Sequence, residues 1–253
     1  MPVRAATPMD ALGLERPPCL VSIVGGGGKS SLMFALARGL PGRVVATTTT
    51  RIFAAQTREA EQASGLDDPD WRARLETFDS SLLVYGEVRG EHALGIPPAL
   101  AGEILDHPRV DWVVNEADGS RMLPAKAPAE HEPVVPERTR LLVAVAGIDA
   151  LSGPIRDVTH RPERVSALTS SDPEDNLTPE TLALLLSSPR GGLKGIPAAA
   201  RAAVLINKVH APAQVESARE VARHILAREP RVERVALGAL QADPPSAWEV
   251  WQR

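Results

Sequence analysis

Cys19-Leu20-Val21-Ser22-Ile23-Val24-Gly25-Gly26-Gly27-Gly28-Lys29-Ser30-Ser31-Leu32-Met33-Phe34 decides the fold. The run from Cys19 to Val24 is short, apolar and β-branched, the signature of a strand buried on both faces. Four glycines follow at once. From Ser30 to Leu40 the apolar residues Leu32, Met33, Leu36 and Leu40 recur at helical spacing, and Pro41-Gly42 stop that helix. A second apolar run leads from Val44 into Thr47-Thr48-Thr49-Thr50. Strand, helix and strand make a βαβ unit, and such units build parallel sheets.

The pattern recurs along the chain. Leu82–Tyr85, Trp112–Val114, Leu141–Val145, Ala203–Ile206 and Val232–Leu237 read as further strands. Ala99–Leu105, Thr178–Leu186 and Ala213–Leu226 read as helices, with Thr178 as an N-cap and Pro179 at the first helical position. The reading is an α/β fold: a doubly wound, mostly parallel sheet of the phosphate-loop NTPase type, one domain over 1–253. The segment 147–197 is turn-rich and poor in strands, and is expected to form a cap or an insertion.

Composition narrows the class. The chain has 253 residues and a net charge of −4, with 43% hydrophobic and 24% charged residues. That excludes a wholly disordered chain. The mild acidity argues against nucleic acid as a partner, and the 3% of aromatic residues leaves little for stacking single strands. No stretch approaches the ~20 apolar residues of a membrane span. The opening MPVRAATPMDALGLERPP carries Arg4, Asp10, Glu15 and Arg16 without an apolar core, so no secretory signal is expected and the cytoplasm is the expected location. The lone Cys19 reads as a small buried residue.

Chemistry concentrates where strands end. Gly25, Gly26, Gly27 and Gly28 let backbone amides approach phosphate oxygens, with the helix dipole behind them. Lys29 is expected to reach the β- and γ-phosphates. Ser30 is expected to ligate Mg²⁺, with Ser31 beside it. The spacing is G-x-x-G-K-S, two residues shorter than the usual loop because position 23 is Ile, and it resembles the loop of Mur-type ligases. After the strand ending at Val114, Glu116 or Asp118 is expected to orient the metal ion, or both act on one cation. Thr48 could complete the metal shell, and Arg51 could neutralise transition-state charge. Asn207 and Lys208 look like the start of the N-K-x-D base-reading motif of GTPases. His210 stands where that motif has Asp, so ATP and GTP both stay open.

A second substrate site is expected beyond Gly119. The loop carries Arg121, Lys126 and His131 among prolines that stiffen it. His160, Arg161 and Lys194 could add an anion-binding wall. Glu130-His131-Glu132 lacks the spacing of a zinc helix.

The stretches VGGGGKSSLMF, VVATTTTRIF, EADGSRMLPAKAPAEHEPVVP, LTPETLALLL, GGLKGIP and LINKV together resemble the YqeC family, from Val21 to Val209. EADGSR followed by KAPAEHEPV is the most specific of them. The resemblance implies an accessory role for selenium-dependent molybdenum hydroxylases, with such a hydroxylase or a selenium or molybdopterin intermediate as partner. Three activities follow as expectations. One is Mg²⁺-dependent hydrolysis or transfer of a γ-phosphoryl group. The others are a nucleotide-switched chaperone with little turnover, and an ATP-dependent kinase or ligase on a small anion.

Overall fold

A computed structural model describes residues 2–14, 16–242 and 248–253. Met1 and Glu15 of the N-terminal stretch lie outside the described residues. The main sheet has ten strands. In spatial order they are Ala63–Gly65, Ser81–Tyr85, Val44–Thr48, Trp112–Glu116, Cys19–Gly25, Leu141–Gly147, Arg201–Asn207, Val232–Leu237, Trp248–Gln252 and Val3–Ala5. The first eight run parallel. Trp248–Gln252 is antiparallel to Val232–Leu237 and to Val3–Ala5, which closes that edge. The doubly wound α/β reading holds.

Side-chain alternation explains why the central strands look uniformly apolar. Val24 packs with Leu142 and Ala144 on one face, under the helices Pro179–Ser187 and Pro212–Arg228. Its neighbour Ile23 packs with Val143 and Val145 on the other, under the helix Lys29–Gly39. Each such fully buried side chain contributes roughly 1.5–3 kcal/mol, so a run of them specifies the sheet centre. The helices Trp71–Thr77 and Pro98–Leu105 cover Leu20, Val45 and Val113 in a third cluster. Thr178 does cap its helix: its hydroxyl accepts from the Thr181 amide at 3.2 Å.

The 147–197 segment carries the short helices Ile155–Val158 and Pro162–Thr169 as well as Pro179–Ser187. Ile155, Val165 and Leu182 sink into the core beside Ala144 and Val204. Among the described residues, no helix is long and apolar enough to cross a membrane.

The expected strand through Thr50 is shorter than its composition suggests. It ends at Thr48, where the chain bends, and Arg51–Phe53 joins a separate three-stranded antiparallel sheet with His92–Leu94 and Val88–Arg89. This small sheet stands beside the C-terminal ends of the parallel strands, where open α/β sheets bind ligands.

Candidate functional site

The glycine loop leaves the Cys19–Gly25 strand at the centre of the sheet and enters the helix Lys29–Gly39. The glycines are obligatory. Gly27 has φ +69°, and a Cβ there would meet the Gly147 amide nitrogen at 2.1 Å. Gly28 has φ +132°, and a Cβ would meet Asn207 Nδ2 at 2.3 Å. A larger residue would collide with the Gly147 backbone at the first position and with the Asn207 side chain at the second.

The first three loop amides are spent inside the protein. Gly25 donates to both oxygens of Asp118 at 3.1 Å, Gly26 to the Val145 carbonyl at 2.9 Å, and Gly27 to the Leu123 carbonyl at 3.0 Å. The open amides therefore begin three residues further along the chain than the Gly25–Gly28 cradle that the sequence suggests. The amides of Gly28, Lys29, Ser30 and Ser31 have no acceptor among the described residues. They open the helix toward a cavity of about 990 Å³ that Gly27 through Ser31 line. Such a volume is at the upper end for ligand sites, about 300–1,000 Å³.

Lys29 is almost fully buried. Its amine donates to the Gly25 carbonyl at 2.9 Å and to the Ser120 hydroxyl at 3.2 Å. It also pairs with Glu116 at 3.6 Å and Asp118 at 3.5 Å. The two carboxylates then part company. Glu116 lines the cavity and accepts from the Ser30 hydroxyl at 2.7 Å. Burial pushes its carboxyl up, and Lys29 opposes that only in part. Asp118 is not among the cavity-lining residues. It is held by the Gly25 amide and by Lys126 at 3.2 Å, bracing the loop from behind.

Ser30 and Glu116 are hard oxygen donors beside the open amides, a set that suits Mg²⁺ once phosphate oxygens and water complete it. Among the described residues, no group of three or more His, Cys, Asp or Glu is gathered for a metal, so an ion here depends on its ligand for the rest. Thr48 does not join them. Its hydroxyl is fully buried and donates to the Glu116 carbonyl at 2.9 Å, so the metal role expected of it gives way to a strand staple. Thr47 and Thr49 are tied likewise, to the carbonyls of Val84 and Val134. Thr50 and Arg51 do reach the cavity, and the Arg51 guanidinium is exposed.

Asn207 and Lys208 separate in the same way. Asn207 is buried, donates to the Gly27 carbonyl at 2.8 Å and accepts from the Leu240 amide at 3.0 Å. With both ends of its amide committed, it clasps the glycine loop instead of meeting a base. Lys208 has φ +64°, lines the cavity and pairs with Asp149 at 2.6 Å.

The expected second-substrate residues divide too. Arg121, His160 and Arg161 line the cavity. Lys126, His131 and Lys194 do not. Lys126 is buried between Glu132 at 2.7 Å and the Gly119 carbonyl at 2.7 Å, and Lys194 donates to the carbonyls of Ala129 and Glu130. Those two amines are consumed in holding the proline-rich loop, and His131, on the same loop, is exposed. Arg161 meets Glu132 at 2.6 Å. Burial alone would raise the Glu132 carboxyl, but Arg161 and Lys126 outweigh it and hold it at about 2. Burial and the neighbouring Arg161, Lys126 and Arg121 hold His160 at about 4, so its ring is neutral near pH 7 and keeps an acceptor nitrogen.

Among the described residues, five cationic side chains and three carboxylates line this cavity, in a chain of net charge −4. The positive field is local and suits a polyanion. Sequence reasoning missed Phe53, Gln56, His92 and Met122, which complete the wall. Their only signal was position: Phe53 follows the threonine run by three residues, and Met122 follows Arg121.

The fold and cavity define a doubly wound α/β protein whose glycine-rich strand-to-helix loop opens on a cationic pocket. Within that class the chain belongs to the YqeC family. The family model described as YqeC protein matches residues 21–163, which span the glycine loop, both carboxylates and the His160–Arg161 wall. A relative from Escherichia coli (strain K12), named Uncharacterized protein YqeC, is 30% identical over 249 residues, covering 93% of this chain and 93% of its own.

Proposed function

We propose that the protein binds a nucleoside triphosphate, ATP or GTP, with Mg²⁺ and hydrolyses or transfers its terminal phosphoryl group. The observation that carries this is the row of open amides from Gly28 to Ser31 beside the buried Lys29 amine, at the mouth of a cationic cavity. Helix-start amides and a lysine are complementary to phosphate oxygens. Ser30 and Glu116 would hold Mg²⁺, which when bound supplies charge neutralisation at the phosphates. Arg51, exposed on the same wall, would meet charge developing on the phosphoryl group. Catalysis then comes from positioning and electrostatics, without a covalent intermediate.

The setting we propose is the cytoplasm, in an accessory role to the maturation of selenium-dependent molybdenum hydroxylases. The motif resemblance supports that setting. In cells that make such a hydroxylase, removing this protein is expected to lower the active enzyme while leaving its polypeptide level unchanged.

Calorimetry and phosphate release test the binding site directly. Titration with non-hydrolysable ATP and GTP analogues in the presence of Mg²⁺ is expected to give saturable heat, and hydrolysable nucleotide to release phosphate. Absence of heat with both analogues at millimolar concentration overturns the assignment.

A further inference from the structure

The cavity has two arms, set by the order of the strands. On one side of the glycine loop, two strands away, Arg201–Asn207 delivers Lys208. On the other side, again two strands away, Val44–Thr48 leads to Arg51 and Phe53. At about 4.8 Å per strand, the two strand ends stand roughly 19 Å apart. Glu116 lies at the end of the strand between the loop and Val44–Thr48. Ser30 and Glu116, which would hold the cation, therefore favour terminal phosphates on the Phe53 side, with the nucleoside trailing toward Lys208.

The Phe53 arm is built differently from the rest of the surface. Among the described residues, large apolar side chains are exposed at Val3, Phe53, Val88 and Met122, and two of these four line this one cavity. Phe53 is 44% exposed as a residue, and its ring stacks on His92 at 5.3 Å with 26° between the planes. The Phe53 amide donates to Gln56 Oε1 at 3.0 Å, so backbone and ring are both held. On the loop whose Leu123 carbonyl accepts from the Gly27 amide, Arg121 and Met122 have φ of +50° and +64°, a left-handed conformation that costs non-glycine residues energy. The strain presents Met122, 81% exposed, and the Arg121 guanidinium to the cavity. A thioether and a phenyl ring are both good faces for a flat π-system. Neither Arg51 nor Arg121 has a carboxylate partner among the described residues.

We propose that the arm between Phe53 and Met122 binds a second substrate built as a planar aromatic ring bearing an anionic group. The ring stacks on Phe53, and Arg121 receives the anion. The inference rests on the reading that phosphates sit at Gly28–Ser31, because that reading decides which arm is left for a second molecule.

The probe is 1-naphthyl phosphate, compared with cyclohexyl phosphate, which keeps the anion and lacks the flat ring. Affinities are measured with and without a bound triphosphate analogue. The wild-type protein is expected to bind the naphthyl compound about ten-fold more tightly, the scale of one aromatic stacking contact. Phe53→Ala is expected to bring the two affinities within two-fold, Phe53→Trp to restore the preference, and neither to change triphosphate affinity. Equal binding of the two probes by the wild type overturns the proposal. So does a loss of triphosphate affinity in Phe53→Ala that matches the loss for naphthyl phosphate, since the ring would then hold the nucleobase. If the wild type binds no triphosphate, the phosphate-site reading fails by itself, and the probe comparison without nucleotide still decides this one.

Discussion

The Ser30 hydroxyl donates to the Glu116 carboxylate at 2.7 Å, tying the first turn of a helix to a strand end 86 residues away. Both groups line the cavity. Glu116→Gln keeps the shape and an acceptor for Ser30 while removing the charge that a divalent cation needs. Triphosphate affinity in the presence of Mg²⁺ is expected to fall by at least about ten-fold, with little change in its absence. Calorimetry with and without magnesium checks this; an unaltered magnesium dependence counts against the metal role of Glu116.

Lys29 stands between Glu116 and Asp118, all three almost fully buried. Lys29→Ala leaves Glu116 buried without a cation and Asp118 with Lys126 alone. Breaking a buried ionic cluster from one side costs about 3–5 kcal/mol, so the variant is expected to unfold at clearly lower denaturant concentration than the wild type. The deficit should narrow on acidification, because a protonated carboxyl no longer needs the amine. Denaturant melts at two pH values measure both effects.

The centre of the fold was legible because parallel strands buried on both faces leave continuous apolar runs, as Cys19–Val24 and Leu141–Val145 do. The small sheet was not. Arg51–Phe53 is three residues long and pairs with His92–Leu94 some 40 residues on, which no local pattern encodes. Glu116 and Asp118 looked equivalent, since residues two apart share a side of an extended strand. The strand ends at Glu116, and the turn that follows sends Asp118 behind the loop. Residue type alone suggests a metal ligand at Thr48 and a base contact at Asn207. What they bond to depends on strand neighbours that only the folded sheet supplies.

Asn207 joins the Gly27 carbonyl to the Leu240 amide. Asn207→Ala strands both groups in a buried position, at a cost of about 1–3 kcal/mol. The loop it clasps should loosen, so ATP and GTP affinities are expected to fall by the same factor. Parallel titrations of the two nucleotides test this. A change in their ratio would return Asn207 to base reading.

Thr48→Val removes one hydroxyl that bridges the Val44–Thr48 strand to the Glu116 carbonyl. Stability is expected to drop by about 1–2 kcal/mol, since the Glu116 carbonyl keeps only the Thr49 amide and the Thr50 amide loses its acceptor. Magnesium-dependent nucleotide affinity should stay at the wild-type value. Any specific loss of magnesium dependence would place the hydroxyl in the metal shell after all.

Glu132 and His160 set how the cavity wall responds to acid. Glu132 falls from an ordinary value of 4.5 to about 2 because Arg161 and Lys126 outweigh its burial. A depressed carboxyl contributes stability above the unfolded value, and that contribution fades as pH drops from 4.5 toward 2. Allowing for solvent screening, it amounts to about 2 kcal/mol. His160 is lowered from 6.5 to about 4 by burial and by the cations around it. The unfolded chain takes up that proton first, so its share of stability is lost between pH 6.5 and 4. Urea melts from pH 7 to 3 should therefore show two successive losses. His160→Gln is expected to flatten the upper one and Glu132→Gln the lower one. The order matters for the site: above pH 6.5 the imidazole is neutral while Arg121 and Arg161 stay charged, so the wall combines anion-binding cations with a proton acceptor. If His160→Gln leaves the upper window unchanged, the imidazole is not neutral in the folded wall, and a proton acceptor there must be sought elsewhere.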